Sequence, residues 1–404
     1  MSLRLDRQPW LTDPATRAVM QALTAAGGPG VARFVGGCVR NALIDCAVDD
    51  IDIATTLLPQ DVMAALAQAG LRAVPTGLAH GTVTAVSGGK GFEITTLRRD
   101  VTTDGRNATV AFTDDWSQDA ARRDFRLNAL YADADGNVFD PTGQGIEDAL
   151  AGRIIFVGDP HTRIREDYLR ILRFFRFMAW YGRGEPDAAA MSACADLASG
   201  MDRLSAERVS KELLKLLAAS SPVAAVQAMT QAGVLAVILP EARLDERFAA
   251  MASISDDAVL RLSVLLPSHA EAASQAAVRL RMPNAVRDRL AAAVSAEPSL
   301  DLDERGGRAA VYRQGAAAVA DGILRAWAAS PEREADARRL LAIARNWTPP
   351  RLPVGGRALE RLGVPAGPET GRLLKAFEAS WIADDFPAEG HDARLRALLD
   401  EPRE

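Results

Sequence analysis

The chain has 404 residues, 48% hydrophobic and 25% charged, with a formal net charge of −6. That length is too great for one ordinary core, so two or more domains or an elongated helical array are expected, and the composition excludes a disordered chain. No apolar run approaches bilayer-spanning length, the longest, such as Val234–Leu239, being short core pieces, so no membrane partner is expected.

In chain order, Val31–Val35 reads as a short buried strand stopped by Gly36-Gly37, and Cys38–Leu43 as the start of a helix. Ile51–Thr55 is short and β-branched, hence a strand. Thr82–Ser87 and Phe92–Leu97 are two more, joined as a hairpin through residues 88–91. Ala129–Ala132 and Val138–Phe139 flank a turn over Asp133–Asn137. From about residue 145 the texture changes: strand signals vanish and apolar residues recur at helical spacing, as in Leu169, Leu172, Phe175 and Phe177, or Leu213, Leu214, Leu216 and Leu217. Residues 151–404 therefore read as almost wholly α-helical, with breaks at 182–186, 220–222, Pro240, Pro283, Pro298, Pro331 and 349–350. The fold class is α+β, a small head with a mixed or antiparallel sheet on a long all-α remainder.

The first residues carry Arg4, Asp6, Arg7 and Asp13 and no apolar signal core, and Cys38, Cys46 and Cys194 form no CxxC and cannot all pair. Both features lead us to expect a cytoplasmic protein. His80, His161, His269 and His391 are too scattered for a zinc site. Net negative charge gives no argument for nucleic acid, but Arg163, Arg165, Arg170, Arg173, Arg176 and Arg183 face only Glu166 and Asp167 over 163–183. A local basic surface is compatible with that segregation.

The chemistry begins at GGCVR (36–40). A strand ending in two glycines brings bare N–H groups close to a ligand, the following helix start adds its positive dipole end, and Arg40 lies one turn on; phosphate is the natural guest. Ten residues later come Asp50 and Asp52. Residues i and i+2 of a strand share a face, and two adjacent carboxylates there repel unless a cation such as Mg²⁺ lies between them; an exposed edge strand with solvated acids is the competing reading. Asp133 and Asp135 make the same D-x-D, but Gly136-Asn137 follow directly and mark a turn. Glu93, on the face opposite Phe92 and Ile94, is the candidate third carboxylate of a two-metal site, or an acid on a solvated sheet face. In RRDFRLNA (122–129), Arg123, Asp124 and Asn128 combine fork-shaped phosphate donors with hydroxyl partners, although composition alone also fits a charged loop. Asp167 and Arg170 offer an acceptor and a donor fork to a base edge, while the spacing of Glu166 and Asp167 ahead of Arg170 equally describes helix ion pairs.

Taken in order, GGCVR with DID (50–52), HGT (80–82), FEITTLR (92–98), RRDFRLNA, DPTGQGIED (140–148) and IREDYLRILRFFRF (164–177) resemble the bacterial class II CCA-adding enzyme and poly(A) polymerase family of the polymerase-β nucleotidyltransferase superfamily. The resemblance is close over about 30–215, and LPVGGRALERLGVPAGPETGRLL (352–374) is similar to a C-terminal segment of bacterial CCA-adding enzymes. It implies a catalytic head over 1–150, a neck over 151–218 that recognises the base, a body over 219–300 and a tRNA-binding tail over 301–404. It assigns metal to Asp50 and Asp52, triphosphate to Gly36, Gly37 and Arg40, ribose to Arg123, Asp124 and Asn128, and selection of C or A to Asp167 and Arg170. Thr102–Asp114 matches the family's flexible segment. Asn41 stands where Asp is usual and Arg126 where Thr is common, and 220–350 match too loosely to transfer RNA contacts. The expected reaction is Mg²⁺-dependent, template-independent transfer from CTP and ATP to the 3′ end of tRNA. Poly(A) addition, partial addition and a catalytically silent RNA-binding protein are the alternatives.

Overall fold

The computed structural model describes residues 3–5, 8–104, 107–296 and 298–400. Asp6, Arg7 and positions 105 and 106 of the segment matched to the family's flexible loop lie outside the described residues. The chain divides into two compact units, Met1–Pro240 and Glu241–Glu404.

The first unit carries a seven-stranded sheet in the order β3-β4-β5-β2-β1-β8-β9, formed by β1 (Ala32–Val35), β2 (Asp52–Thr55), β3 (Arg72–Gly77), β4 (Thr82–Ser87), β5 (Lys90–Thr96), β8 (Tyr131–Ala132) and β9 (Val138–Phe139). A separate ribbon pairs β6 (Arg98–Asp104) with β7 (Asn107–Phe112). Every ladder in the large sheet is antiparallel except β2–β5. The mixed sheet expected of the head is therefore present. Period-2 alternation explains its core: Val83 and Ala85 of β4 and Phe92 and Ile94 of β5 are buried, and Glu93 between the last two faces out. Ser87 pairs with Lys90, so the hairpin loop is Gly88-Gly89 alone. Both glycines have positive φ, 55° and 75°, which a two-residue loop of this hand demands.

Three strands escaped the sequence reading. β3 lies at the sheet edge and contains Pro75, which cannot donate to a ladder. β6 and β7 pair only with each other, so the segment expected to be a flexible loop is a two-stranded ribbon on either side of the undescribed positions. The Asp133–Asn137 turn is as expected, with Asp133 Oδ1 accepting from the backbone N–H groups of Asp135 and Asn137 at 3.0 and 2.9 Å.

Beyond Ala132 and β9 the unit is helical. Leu169–Tyr181 buries Leu169, Ile171, Leu172, Phe174, Phe175 and Phe177, and packs against Ala206–Leu217 and Pro222–Gln231. Helices Pro160–Glu166 and Leu169–Tyr181 meet at Asp167, whose backbone is extended (φ −154°, ψ 107°), so the carboxylate sits at a corner between them. The second unit is helical, with Pro283, Pro298, Pro331 and 349–350 falling between α-helices as expected, and with further joints at 255–257, 266–269 and Gly315 that were not expected. Within it, segment 352–374 supplies Val354, Leu359, Val364 and Leu373 to a buried cluster completed by Phe377, Trp381, Ile382 and Leu395. No helix is long and apolar enough to cross a membrane among the described residues.

Candidate active site

Topology alone brings the first motifs together. Phe34 of β1 pairs with Ile53 of antiparallel β2, so the double glycine leaving β1 lies beside the residues that lead into β2. On the other flank Asp52 pairs with Glu93 of parallel β5. Gly36 has φ 71°, a left-handed conformation that favours glycine and turns the chain into helix Gly37–Leu43. A side chain there would also meet company: a Cβ would sit 3.6 Å from Arg123 Nη1 and from the Asn128 carbonyl oxygen.

Asp50 and Asp52 do not share one strand. β2 begins at Asp52, and Asp50 lies in the coil just before it. Their charges nonetheless act on each other. Burial of the Asp52 carboxylate, then the charges of Glu93 and Asp50, push its pKa up to about 6, while Arg123 pulls the other way. As residues, Asp50, Asp52 and Glu93 are exposed to solvent, so this is a carboxylate cluster at an accessible rim. Among the described residues no three acidic, histidine or cysteine side chains are grouped so as to hold a metal ion, so the third carboxylate expected at Glu93 does not complete a three-acid ligand set with Asp50 and Asp52. An open carboxylate pair suits Mg²⁺, which commonly takes one or two carboxylates and fills its shell with water and substrate phosphate.

Arg123 is held on one side. Its Nε and Nη2 donate to Asp119 Oδ2 at 3.3 and 2.9 Å, and Nε also to the Tyr131 hydroxyl at 3.2 Å. Asp124 accepts from Arg173 Nε at 2.7 Å, from Asn128 Nδ2 at 3.1 Å and from the Phe125 N–H at 2.9 Å. Burial alone would raise both acids. For Asp119 the Arg123 and Arg122 charges win, and for Asp124 the Arg173 charge and the Asn128 hydrogen bond, leaving each at about 2. Native pKa values below the unfolded value of about 3.9 stabilise the fold above that pH, and the stabilisation is lost as pH falls towards 2. We expect the thermal midpoint to be insensitive to these two groups above about pH 5 and to fall steeply between about pH 4 and 2; circular dichroism melts across that range test it.

Arg40 departs from the sequence expectation. It is 6% exposed, and four of its donor directions are used within the protein: Nε and Nη2 on Asn41 Oδ1 (3.1 and 2.8 Å), Nη2 on the Tyr181 hydroxyl (2.8 Å), and Nη1 on Asn128. Its guanidinium also lies 3.9 Å from the Tyr181 ring centre. Such an arginine orients Asn128 and ties the head to helix Leu169–Tyr181 rather than standing free for phosphate. Asn41 thus serves as a neutral acceptor where the family usually has Asp. Arg126 is explained too: its Nε is 2.7 Å from buried Asp148, the last acid of DPTGQGIED.

Asp167 accepts from Arg208 Nη2 at 2.6 Å and from the Leu169 N–H at 3.1 Å. Arg170 Nη1 donates to the Arg163 carbonyl at 2.7 Å and to Glu166. Glu166 and Arg170 do pair, but across the corner between two helices and not along one helix as the spacing implied, and Asp167 pairs with Arg208 of a third helix. Arg170 keeps its Nε–Nη2 edge without a protein partner among the described residues. Sequence reading missed Asp119, Tyr131, Tyr181 and Arg208, and counted Arg163 and Arg173 only as charge. Arg163, buried, donates to the backbone carbonyls of Arg122 and Arg123. Asp119 alone had a local signal, an acid three and four residues ahead of Arg122 and Arg123, which is a commonplace pattern.

Residues 32–155 match the poly A polymerase head domain family, and residues 185–244 the family described as a probable RNA and SrmB-binding site of polymerase A. Over 393 residues, 88% of this chain and 84% of its relative, the sequence is 32% identical to CCA tRNA nucleotidyltransferase 1, mitochondrial, of Mus musculus. The chain belongs to the CCA-adding tRNA nucleotidyltransferase family. Within the family it is also 36% identical over 227 residues to the CCA-adding enzyme of Limosilactobacillus reuteri, covering 56% of this chain and 54% of that one. The Bacillus stearothermophilus CCA-adding enzyme in complex with CTP superposes with a TM-score of 0.72 at 25% identity, covering 96% of this chain and 98% of that one. The Thermotoga maritima enzyme complexed with tRNA shares the fold, with a TM-score of 0.70 at 19% identity over 98% of both chains.

Proposed function

We propose that the chain adds C, C and A to the 3′ end of tRNA from CTP and ATP without a nucleic-acid template, releasing pyrophosphate. The observation that carries this is the convergence of Asp52, Glu93 and Arg123 beside the double glycine, in a chain of this family. The head is assigned to 1–150, the base-reading neck to 151–218, the body to 219–300 and the tRNA-binding tail to 301–404.

In the reaction the RNA 3′-hydroxyl attacks the α-phosphate and the β- and γ-phosphates depart together. Asp50 and Asp52 are the residues to hold Mg²⁺, with Glu93 beside them. When bound there, Mg²⁺ supplies Lewis-acid stabilisation of phosphate charge and acidifies the attacking hydroxyl. Gly36 and Gly37 let the triphosphate approach the backbone, and Arg123, expected from the resemblance to serve the ribose, is reassigned to the triphosphate because its Nη1 lies beside the turn at Gly36. Asp124 and Asn128 take the ribose hydroxyls, and Arg40 fixes Asn128. The protein thus mainly positions and screens charge, which is most of what phosphoryl chemistry requires.

Asp167 and Arg170 read the base. A site with committed buried donors and acceptors rejects a base that leaves them unpaired. Replacing Arg170 by alanine is expected to lower discrimination between C and A by about tenfold or more, with addition still measurable; unchanged choice in single-nucleotide incorporation would remove the assignment. The unpaired, buried thiols of Cys38 and Cys194 favour a reducing compartment such as the cytoplasm.

One assay tests the whole: purified protein with Mg²⁺, tRNA ending at the discriminator base, and CTP and ATP singly and together. Growth by three nucleotides is expected. A long A ladder would indicate poly(A) polymerase, and no growth a binding protein.

A further inference from the structure

Asp119 has no part in the reaction described above, yet it is among the most enclosed charges in the molecule at 1% exposure. It lies within the short helix Trp116–Ala121 and serves two arginines at once. Oδ1 takes Arg122 Nε at 2.8 Å, and Oδ2 takes Arg123 Nη2 at 2.9 Å and the Tyr131 hydroxyl at 2.8 Å. Tyr131 is itself fixed, being fully buried on β8, paired with Val35 at the end of β1 and packed edge-on against Trp116 at 5.2 Å. Its hydroxyl in turn accepts from Arg123 Nε at 3.2 Å.

A guanidinium is a flat, rigid fork. With Nε and Nη2 tied to Asp119 and Tyr131, the plane of Arg123 is set and only Nη1 lacks a protein partner among the described residues. That atom faces the turn at Gly36, 3.6 Å from where a Cβ would stand. Two arginines share one acid, so the cluster keeps a net positive charge for an anion. Burial works against the Asp119 charge, but the Arg123 and Arg122 charges bring its pKa down to about 2, so it remains ionised wherever the protein is folded at ordinary pH.

We infer that Asp119, acting with Tyr131, is a positioning residue that aims Arg123 Nη1 at the triphosphate of the incoming nucleotide. This rests on the functional reading above. Its physical content is pre-organisation: an arginine already held in one rotamer loses little side-chain freedom when phosphate binds. Because the effect acts on phosphate, it falls equally on CTP and ATP and leaves base choice to Asp167 and Arg170.

The test uses the full chain with Asp119→Asn, which keeps size but replaces one acceptor oxygen by a donor. We expect KM for CTP and for ATP to rise together by about tenfold, the effect of losing a hydrogen bond to a charged group. Inhibition by inorganic pyrophosphate should weaken by the same factor, with KM for tRNA and the C-to-A ratio unchanged. A purely structural ion pair would move none of these in concert. Unchanged nucleotide KM and unchanged pyrophosphate inhibition in folded Asp119→Asn would overturn the inference. Should that variant fail to fold, Tyr131→Phe decides: a smaller shift in the same two quantities supports the inference, and no shift overturns it. Calorimetric binding of pyrophosphate to wild type and variant reads the aim of Arg123 even where no nucleotide is added, so a failure of the functional reading remains separate.

Discussion

Replacing Asp52 by asparagine is expected to reduce nucleotide addition by roughly a thousandfold or more, since a metal ligand contributes several kcal/mol of charge stabilisation in the transition state. The same change should leave tRNA binding intact and should not lower stability. Asp52 opens β2, and burial with the charges of Glu93 and Asp50 raises its pKa to about 6, so the folded protein disfavours its charged form. Removing the charge relieves that repulsion, so the thermal midpoint at neutral pH is expected to hold or rise. An activity loss joined to a stability gain marks a group retained for function. Single-turnover addition, a tRNA-binding titration and a melt on the same preparation check the three parts. Full activity in Asp52→Asn would remove the metal assignment, and a large drop in midpoint would reduce Asp52 to a structural residue.

Sequence legibility ended where long-range pairing began. The double glycine and the outward face of Glu93 were readable because each depends on neighbours one to three residues away: a turn, and an alternation with Phe92 and Ile94. The period-of-two reading of Asp50 and Asp52 failed, because the strand starts only at Asp52. That Glu93 stands directly beside Asp52 depends on the parallel β2–β5 ladder, whose crossover includes β3 and β4, and no local pattern encodes that register. The arginines show the same limit. Arg40, read as a phosphate ligand from its place one turn into a helix, is captured by Tyr181, 141 residues away, and by Asn128, 88 residues away. Asp167 looked like the near partner of Arg170 but bonds Arg208, 41 residues on. The helical half was plain because Pro and Gly breaks and apolar spacing are local. β3 was hidden because it is an edge strand with little alternation and a proline inside it.

Arg173→Ala is expected to destabilise the first unit by about 3 kcal/mol or more, because removing one partner of a buried ion pair leaves the other charge uncompensated. The partner is Asp124, whose side chain is only 10% exposed, and the Asn128 amide and one backbone N–H do not replace a guanidinium. Without Arg173 the Asp124 pKa should move up from about 2, and acid unfolding should begin at higher pH. Both follow from one cause, so they should appear together in melts recorded at pH 7 and at pH 4. The informative comparison is the double variant Arg173→Met with Asp124→Asn, which removes both charges while keeping approximate volume. Isosteric neutral replacement of a buried pair is often tolerated, so the double variant should recover most of the lost midpoint. It should not recover nucleotide addition if Asp124 holds the ribose, because the amide replaces one acceptor oxygen by a donor and carries no charge. Recovery of stability and activity together would show that Asp124 and Arg173 only join head to neck; recovery of stability alone would place the carboxylate at the nucleotide.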